Sequence, residues 1–158
     1  TRTGLRQADY DCARRSRGCN QHAGIRRMKR VITFGTYDVF HAGHLRLLER
    51  GRSEGDGLVV GVSTDALNFA KKGRNPIYPE HERKAIVAAL RCVDDVFDEQ
   101  SLELKREYIL HYDAQLLVMG DDWSGRFDEF SDICEVLYLP RTPSISTTAL
   151  IEKIQSDA

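Results

Sequence analysis

The sequence lacks the features of several common classes of protein. No stretch approaches the roughly 18–20 consecutive apolar residues that a membrane-spanning helix requires, and no apolar segment of a secretion signal is visible. The four cysteines (Cys12, Cys19, Cys92 and Cys134) are not spaced as paired zinc ligands, and the last two lie in apolar segments that favour buried thiols. We therefore expect a cytoplasmic protein with no membrane partner and no structural zinc.

Net charge is small, but the charges are unevenly distributed. Residues 1–30 contain 9 basic and 2 acidic residues, whereas the remainder contains 14 basic and 22 acidic residues. An acidic body repels the nucleic-acid backbone, so we expect no nucleic-acid partner. Any polyphosphate ligand would then need a local basic pocket together with a divalent cation.

The first 27 residues differ from the rest of the chain because they are rich in Arg, Gln and Gly and show no periodicity. We interpret residues 1–27 as a disordered basic tail or a start-site or expression extension, and residues 28–158 as a single domain. A basic arm that binds nucleic acid or membrane is the alternative, although the segment lacks aromatic interleaving and amphipathic order.

From residue 28 onward, apolar runs alternate with amphipathic stretches. The pattern predicts strands at 31–34, 58–62, around 96, 116–119 and 136–139, with helices at 44–53, 79–91, near 102–111 and at the end of the chain to 154. Residues 65–77 are predicted to form a polar loop that carries Lys71, Lys72 and Arg74. This alternation indicates an α/β fold with a Rossmann-like, three-layer parallel sheet, in which ligands bind beyond the carboxyl ends of the strands.

The most informative segment is residues 31–44, which read VITFGTYDVFHAGH. An apolar strand ends at Gly35, and His41 and His44 stand three residues apart at the start of the next helix, so that they share a face. The first N–H groups of a helix lack partners and favour an anion, and Gly43 lets that anion approach the main chain. The segment therefore predicts a phosphate site, the alternative being an ordinary turn with surface histidines.

A second strand–turn–helix lies near the end of the chain. The segment RTPSISTT at 141–148 follows the apolar run that Pro140 ends, and Ser146 to Thr148 are predicted to cap the closing helix. One loop with imidazoles and another with a guanidinium group would together clamp a triphosphate.

Three motifs now stand in order: HxGH at 41–44, MGDDWSGRFD at 119–128 and RTxxIST at 141–147. Together they resemble the cytidylyltransferase family, and most closely its bacterial glycerol-3-phosphate cytidylyltransferases, from about Lys29 to Ile154. The resemblance implies an HxGH nucleotidyltransferase that moves CMP from CTP to glycerol 3-phosphate, giving CDP-glycerol and pyrophosphate for teichoic-acid-type polymers. It also implies Mg²⁺ bound with CTP, and a homodimer.

The same resemblance assigns roles to particular residues. The catalytic set is His41, His44 and Arg141, and the acceptor-binding set is Lys71, Lys105 and Asp122. The nucleotide-binding set adds Gly35, Thr36, Tyr37, Ala42, Gly43, Lys72, Arg74, Thr142, Pro143, Ser144, Ile145, Ser146, Thr147 and Thr148. Which of the three cations at 71, 72 and 74 faces which ligand is left open.

Several residues have a second interpretation. Asp38 would orient the turn or a metal, Trp123 would pack in the core or on a nucleotide, and Lys105 would bind phosphate or lie on a solvated helix face. Arg83 and Arg91, eight residues apart on one predicted helix, would support the nucleotide site or a dimer, or form salt bridges. The family often has glycine where Ser144 stands, and a left-handed backbone there would cost about 1 kcal/mol.

The function has alternatives as well. One is the same fold acting as a cytidylyl- or adenylyltransferase on another phosphorylated alcohol, such as a polyol, heptose or flavin phosphate. Another is a nucleotide-binding regulator without turnover.

Overall fold

A sheet of five parallel strands forms the centre of the molecule. In the computed structural model, which describes residues 27–143 and 146–157, the strand order is β3-β2-β1-β4-β5. The strands are β1 (Arg30–Gly35), β2 (Gly57–Ser63), β3 (Asp95–Glu99), β4 (Leu116–Gly120) and β5 (Glu135–Leu139). The prediction of an α/β parallel sheet is confirmed.

Five helices connect and flank these strands. They are α1 (Ala42–Ser53), α2 (Asp65–Lys72), α3 (Glu80–Ala88), α4 (Lys105–His111) and α5 (Thr147–Ser156), and 3₁₀ turns occur at Asp121–Trp123 and Asp128–Asp132. No helix in the described part of the chain is long and apolar enough to cross a membrane.

The three layers follow from the alternation of side chains along the strands. On β1, Val31 packs with Leu48 of α1 and Val87 of α3 on one face, whereas Ile32 packs with Ile109 of α4 on the other. Both faces of the sheet are therefore buried, which explains why β1, β2 and β4 read as nearly continuous apolar runs.

The strand order reverses beside β1. The chain runs outward from β1 through β2 to β3, and then returns to the other side of β1 for β4 and β5. Such a reversal opens a crevice at the carboxyl ends of the strands, because successive connections leave in opposite directions. The β1–α1 loop and the segment before α5 both lie at this edge.

Some predicted boundaries were wrong. The segment expected to be a polar loop begins with helix α2, whose N-cap Thr64 accepts a hydrogen bond from the Leu67 N–H at 3.2 Å and which ends at Gly73 with φ 68°. Helix α3 ends at Ala88, so Arg91 lies beyond it and does not share a helical face with Arg83.

Two further expectations had mixed outcomes. Cys134 is buried, whereas Cys92 is only half-buried. The proposed tail lies outside the described residues except for Arg27, whose exposed guanidinium pairs with Asp113 at 2.7 Å.

Candidate active site

A cavity of about 800 Å³ occupies the crevice beyond the carboxyl ends of the strands. Its volume lies in the range of small-molecule sites, and the location is the one that parallel sheets use for ligands. Of the residues predicted for the site, those that line the cavity are Gly35, Thr36, Tyr37, His41, Gly43, His44, Lys71, Lys72, Arg74, Lys105, Asp122, Arg141, Thr142, Ser146, Thr147 and Thr148. Ala42 and Pro143 do not line it, and Ser144 and Ile145 lie outside the described residues.

The two histidines cap the helix that they begin. His41 is the N-cap of α1, and its Nδ1 accepts a hydrogen bond from the Gly43 N–H at 3.0 Å. The Nδ1 of His44 accepts from the His41 N–H at 3.4 Å, and the two rings stack with centroids 3.8 Å apart. Because each Nδ1 is an acceptor, each neutral ring has its proton on Nε2, which remains free to donate.

Burial favours the neutral form of both imidazoles. It is the main cause that lowers the pKa of His44 to about 4, and repulsion from a protonated His41 would lower it further. Burial and the nearby guanidinium of Arg141 also lower the pKa of His41. The pair therefore offers two neutral N–H donors toward an anion rather than two positive charges.

Asp38 fixes the loop between β1 and α1. Its carboxylate accepts hydrogen bonds from the N–H groups of Val39 at 3.0 Å, Ile77 at 2.8 Å and Tyr78 at 2.9 Å. The hydroxyl of Thr147 donates to the Asp38 carbonyl at 3.1 Å. Asp38 thus joins three segments around the cavity, which favours its predicted role in the turn over a role as a metal ligand.

The same loop has an unusual backbone. Tyr37 and Val39 both adopt positive φ, 54° and 44°, a region that costs a non-glycine residue energy and that is rarest for β-branched side chains. The Tyr37 ring turns back into the core, where burial raises the pKa of its hydroxyl. A Cβ on Gly35 would lie 2.8 Å from this ring, so glycine is required for the tyrosine to pack.

The start of α5 faces the β1–α1 loop across the cavity. Ser146 is the N-cap, and its hydroxyl accepts from the Ala149 N–H at 3.1 Å, as the sequence predicted. The Arg141 side chain is largely exposed, and its nearest carboxylate is Asp122 at 3.8 Å. Arg141 is therefore available to an anionic ligand.

The other end of the cavity holds a buried lysine. Lys105 is only 2% exposed, so the alternative of a solvated helix face is wrong. Its ammonium group pairs with Glu99 and lies 4.0 Å from the centre of the Phe34 ring. Lys71 is close enough to influence both charges, and burial lowers its pKa.

Arg83 holds the edges of the cavity together. Its fully buried guanidinium donates to the carbonyls of Thr36 at 2.7 Å and Ser63 at 2.9 Å, and pairs with Asp65 at 2.7 Å. Both interpretations of Arg83 hold at once, since it forms a salt bridge and also supports the ends of β1 and β2.

Trp123 makes the predicted core contact, whereas its packing on a nucleotide stays a prediction. It is half-buried, packs against Phe127 with ring centroids 5.5 Å apart, and lines the cavity.

Sequence reasoning missed several polar residues of the cavity, among them Ser63, Asn68 and Glu99. Ser63 and Glu99 are the last residues of β2 and β3, and Asn68 accepts a hydrogen bond from the Thr36 hydroxyl at 2.8 Å. A polar residue that ends a buried parallel strand is a readable signal, because this edge of the sheet faces the ligand.

Most carboxylates of the site already have hydrogen-bond or ion-pair partners within the protein. Asp38 binds backbone N–H groups and Glu99 binds Lys105, and within residues 27–143 and 146–157 no three His, Cys, Asp or Glu side chains gather as a metal-binding cluster. This arrangement fits Mg²⁺ that arrives on the phosphates of a nucleotide, since Mg²⁺ commonly binds through phosphates, water and one or two carboxylates.

The comparison with known families decides among nucleotide-binding folds. The family model for cytidylyltransferase-like proteins matches residues 32–153. The chain belongs to the cytidylyltransferase-like family. The resemblance found in the three motifs is thereby confirmed.

Within this family, the chain is similar to enzymes of known name. It is 49% identical over 127 residues to the glycerol-3-phosphate cytidylyltransferase of Bacillus subtilis (strain 168), which covers 80% of this chain and 98% of that enzyme. It is 44% identical to the glycerol-3-phosphate cytidylyltransferase of Staphylococcus aureus (strain NCTC 8325 / PS 47), over 80% of this chain and 96% of that enzyme.

A solved structure supports the fold of this family member. The lipopolysaccharide core biosynthesis protein from Thermoplasma volcanium GSS1 superposes with a TM-score of 0.65 at 24% identity, covering 73% of this chain and 98% of that one. At this level of identity the likeness concerns the fold alone.

Proposed function

We propose that this chain is a nucleotidyltransferase that transfers CMP from CTP to glycerol 3-phosphate. The observation that carries the proposal is its 44–49% identity to three glycerol-3-phosphate cytidylyltransferases over 96–99% of their lengths. The cavity supports it, because the N-termini of α1 and α5 with Arg141 at one end, and Lys71 and Lys105 at the other, suit two anionic substrates.

In the proposed reaction a phosphate oxygen of glycerol 3-phosphate attacks the α-phosphorus of CTP. The bond between that phosphorus and the oxygen bridging to the β-phosphate breaks, so the products are CDP-glycerol and pyrophosphate. The attacking oxygen is already anionic at pH 7, and no base is needed to remove a proton. Catalysis therefore depends on positioning two polyanions and on stabilising charge on the leaving pyrophosphate.

The described residues supply these two effects. The Nε2–H groups of His41 and His44, beside the N-terminus of α1, would donate to the CTP phosphates, and Arg141 would offset the charge of the leaving group. Neutral histidines suit this role because they remain donors from pH 7 upward without changing charge. Lys71 and Lys105 would bind the acceptor phosphate at the other end.

The proposal includes Mg²⁺ as the partner of CTP. The ion would neutralise part of the phosphate charge. Asp122, an exposed carboxylate of the cavity whose nearest cation is Arg141 at 3.8 Å, would reach either the ion or the glycerol hydroxyls. Turnover that survives complete chelation of divalent cations would contradict this part of the proposal.

The decisive experiment measures pyrophosphate release over a grid of four nucleoside triphosphates and several acceptors. CTP with glycerol 3-phosphate should give the highest kcat/KM. A higher kcat/KM with a polyol, heptose or flavin phosphate would show that this compound, and not glycerol 3-phosphate, is the acceptor. CTP binding without release for any acceptor would favour a regulator that does not turn over.

We also propose that the product serves as an activated glycerol phosphate for polymers of the teichoic-acid type, and that the protein is a homodimer. The first follows from the chemistry of CDP-glycerol, whose pyrophosphate bond can donate glycerol phosphate to a growing chain. Sedimentation equilibrium tests the second, because an 18.0 kDa particle at micromolar concentration would exclude the dimer.

A further inference from the structure

The end of the cavity that takes the acceptor in the proposed function contains a buried carboxylate as well as a buried lysine. Glu99 is 1% exposed, and it is the last residue of β3. One of its oxygens accepts from the Ser63 hydroxyl at 2.5 Å, and the other accepts from the Lys105 ammonium. A carboxylate at a site for an anion opposes binding, so its presence calls for an explanation.

The surroundings of Lys105 suggest one. The ammonium group lies 4.0 Å from the centre of the Phe34 ring and 5.5 Å from that of Phe127, and Glu99 is its single hydrogen-bond acceptor among the described residues. Burial lowers the pKa of Lys105, and the negative charge of Glu99 opposes that effect. An ammonium has three N–H donors, so one bond to Glu99 leaves two for a ligand.

We propose that Glu99 is a positioning residue that keeps Lys105 charged and directed at the acceptor phosphate. Ser63 fixes the carboxylate, the carboxylate fixes the lysine, and the lysine contacts the substrate. Glu99 itself does not touch the phosphate. This inference rests on the proposed function, since it concerns the acceptor end of that site.

The test uses Glu99→Gln, which keeps the shape and an acceptor oxygen but removes the charge. Without its counter-charge the buried Lys105 should lose its proton at a lower pH. The ratio of the glycerol 3-phosphate KM of Glu99→Gln to that of wild type should therefore rise about ten-fold or more between pH 7 and about pH 9.5. The acceptor phosphate stays a dianion across this range, because its second pKa is about 6.

Three comparisons make the result specific. Asp98→Asn is the matched control, because Asp98 precedes Glu99 on β3 and pairs with Lys84 outside the cavity. It should leave the acceptor KM and its pH dependence unchanged. Glu99→Asp restores the charge and should return the pH dependence toward wild type, although the acceptor KM stays raised because the shorter side chain reaches less far.

The third comparison is a double mutant, because Lys71 also faces Glu99 and could respond to its loss. In a Lys105→Gln background, Glu99→Gln should add little further pH dependence if the carboxylate acts through Lys105.

A KM ratio that is flat with pH, or a CTP KM that changes as much as the acceptor KM, would overturn the inference. If Glu99→Gln fails to fold, Glu99→Asp tests the positioning role instead: it should raise the acceptor KM at least several-fold and leave the CTP KM unchanged. An unchanged acceptor KM, or an equal change in both KM values, would overturn the inference. Absence of turnover in wild type would instead contradict the proposed function.

Discussion

At the scale of single residues, the site depends on groups that each have two tasks. His41 and His44 cap α1 with one ring nitrogen and offer the other to the cavity. Asp38 fixes three segments and also faces His44, where its charge partly opposes the fall in the pKa of the imidazole. Substitution of such residues changes local structure and chemistry together, so each test needs a measurement for both.

Replacing either cavity histidine should reduce turnover far more than stability. His41→Ala or His44→Ala should lower kcat at least about 100-fold, because each change removes a donor aimed at charge in the transition state. The control is His111→Ala, since His111 is exposed and lies outside the cavity. Steady-state kinetics on protein shown to be folded by circular dichroism tests this, and near-normal turnover in both variants would contradict the proposed site.

The low pKa of His44 should make the fold sensitive to acid. The unfolded chain binds a proton at this residue near pH 6.5, whereas the folded protein does so only near pH 4. The unfolded state is therefore favoured as pH falls through this window, by at most about 3 kcal/mol, and the effect is absent at pH 7 and above. The free energy of unfolding of wild type should fall more steeply from pH 6.5 to 4 than that of His44→Gln. Parallel profiles would show that His44 titrates normally in the folded state.

At the scale of elements, the alternation of strands and helices could be predicted because it depends on local periodicity. The cap at Ser146 was also predicted from a local signal, whereas the capping of α1 by His41 was not. Helix α2 was missed because its charged residues suggested a loop, although Thr64 and Gly73 supply an ordinary start and end. The environment of Lys105 could not be predicted, since the carboxylate that allows its burial comes from a different strand and meets it only in the fold.

The hydrogen bonds that join Asp38 to residues 77 and 78 can be tested by a substitution that replaces one carboxylate oxygen with an amide nitrogen. In Asp38→Asn the amide nitrogen cannot accept a hydrogen bond, so the Ile77 or Tyr78 N–H loses its partner. We expect a CTP KM raised about ten-fold and a lower melting temperature. Asp95→Asn is the control, because Asp95 also accepts from the next N–H, that of Val96, but joins no distant segment. Equal effects of the two substitutions would show that the distant bonds are unimportant.

At the scale of the whole molecule, one domain contains the sheet, the cavity and the N-termini of α1 and α5 that face each other across it. The family match begins at residue 32, so residues 1–27 lie before it. Arg27 contacts the domain through an exposed ion pair, and such pairs contribute little to stability.

Removing residues 1–27 should therefore leave the domain nearly unchanged. We expect the melting temperature to shift by less than about 3 °C and kcat/KM to stay within about two-fold, because no predicted apolar face is lost. Calorimetry and kinetics on the full and shortened chains would measure both. A larger loss of stability would mean that the segment packs on the domain, and added binding of DNA by the full chain alone would favour the basic-arm alternative.

The left-handed backbone at Val39 has a consequence for how this loop can evolve. At most positions alanine is more stabilising than glycine, by about 0.5–1 kcal/mol, because glycine has more freedom to lose on folding. At φ 44° the order should reverse, since alanine still carries a Cβ into the left-handed region and glycine does not. Val39→Gly should therefore melt at a higher temperature than Val39→Ala, and the usual order would show that the loop relaxes to a common conformation. Selection for stability alone would then favour glycine at this position, because the valine carries a backbone cost that glycine would not.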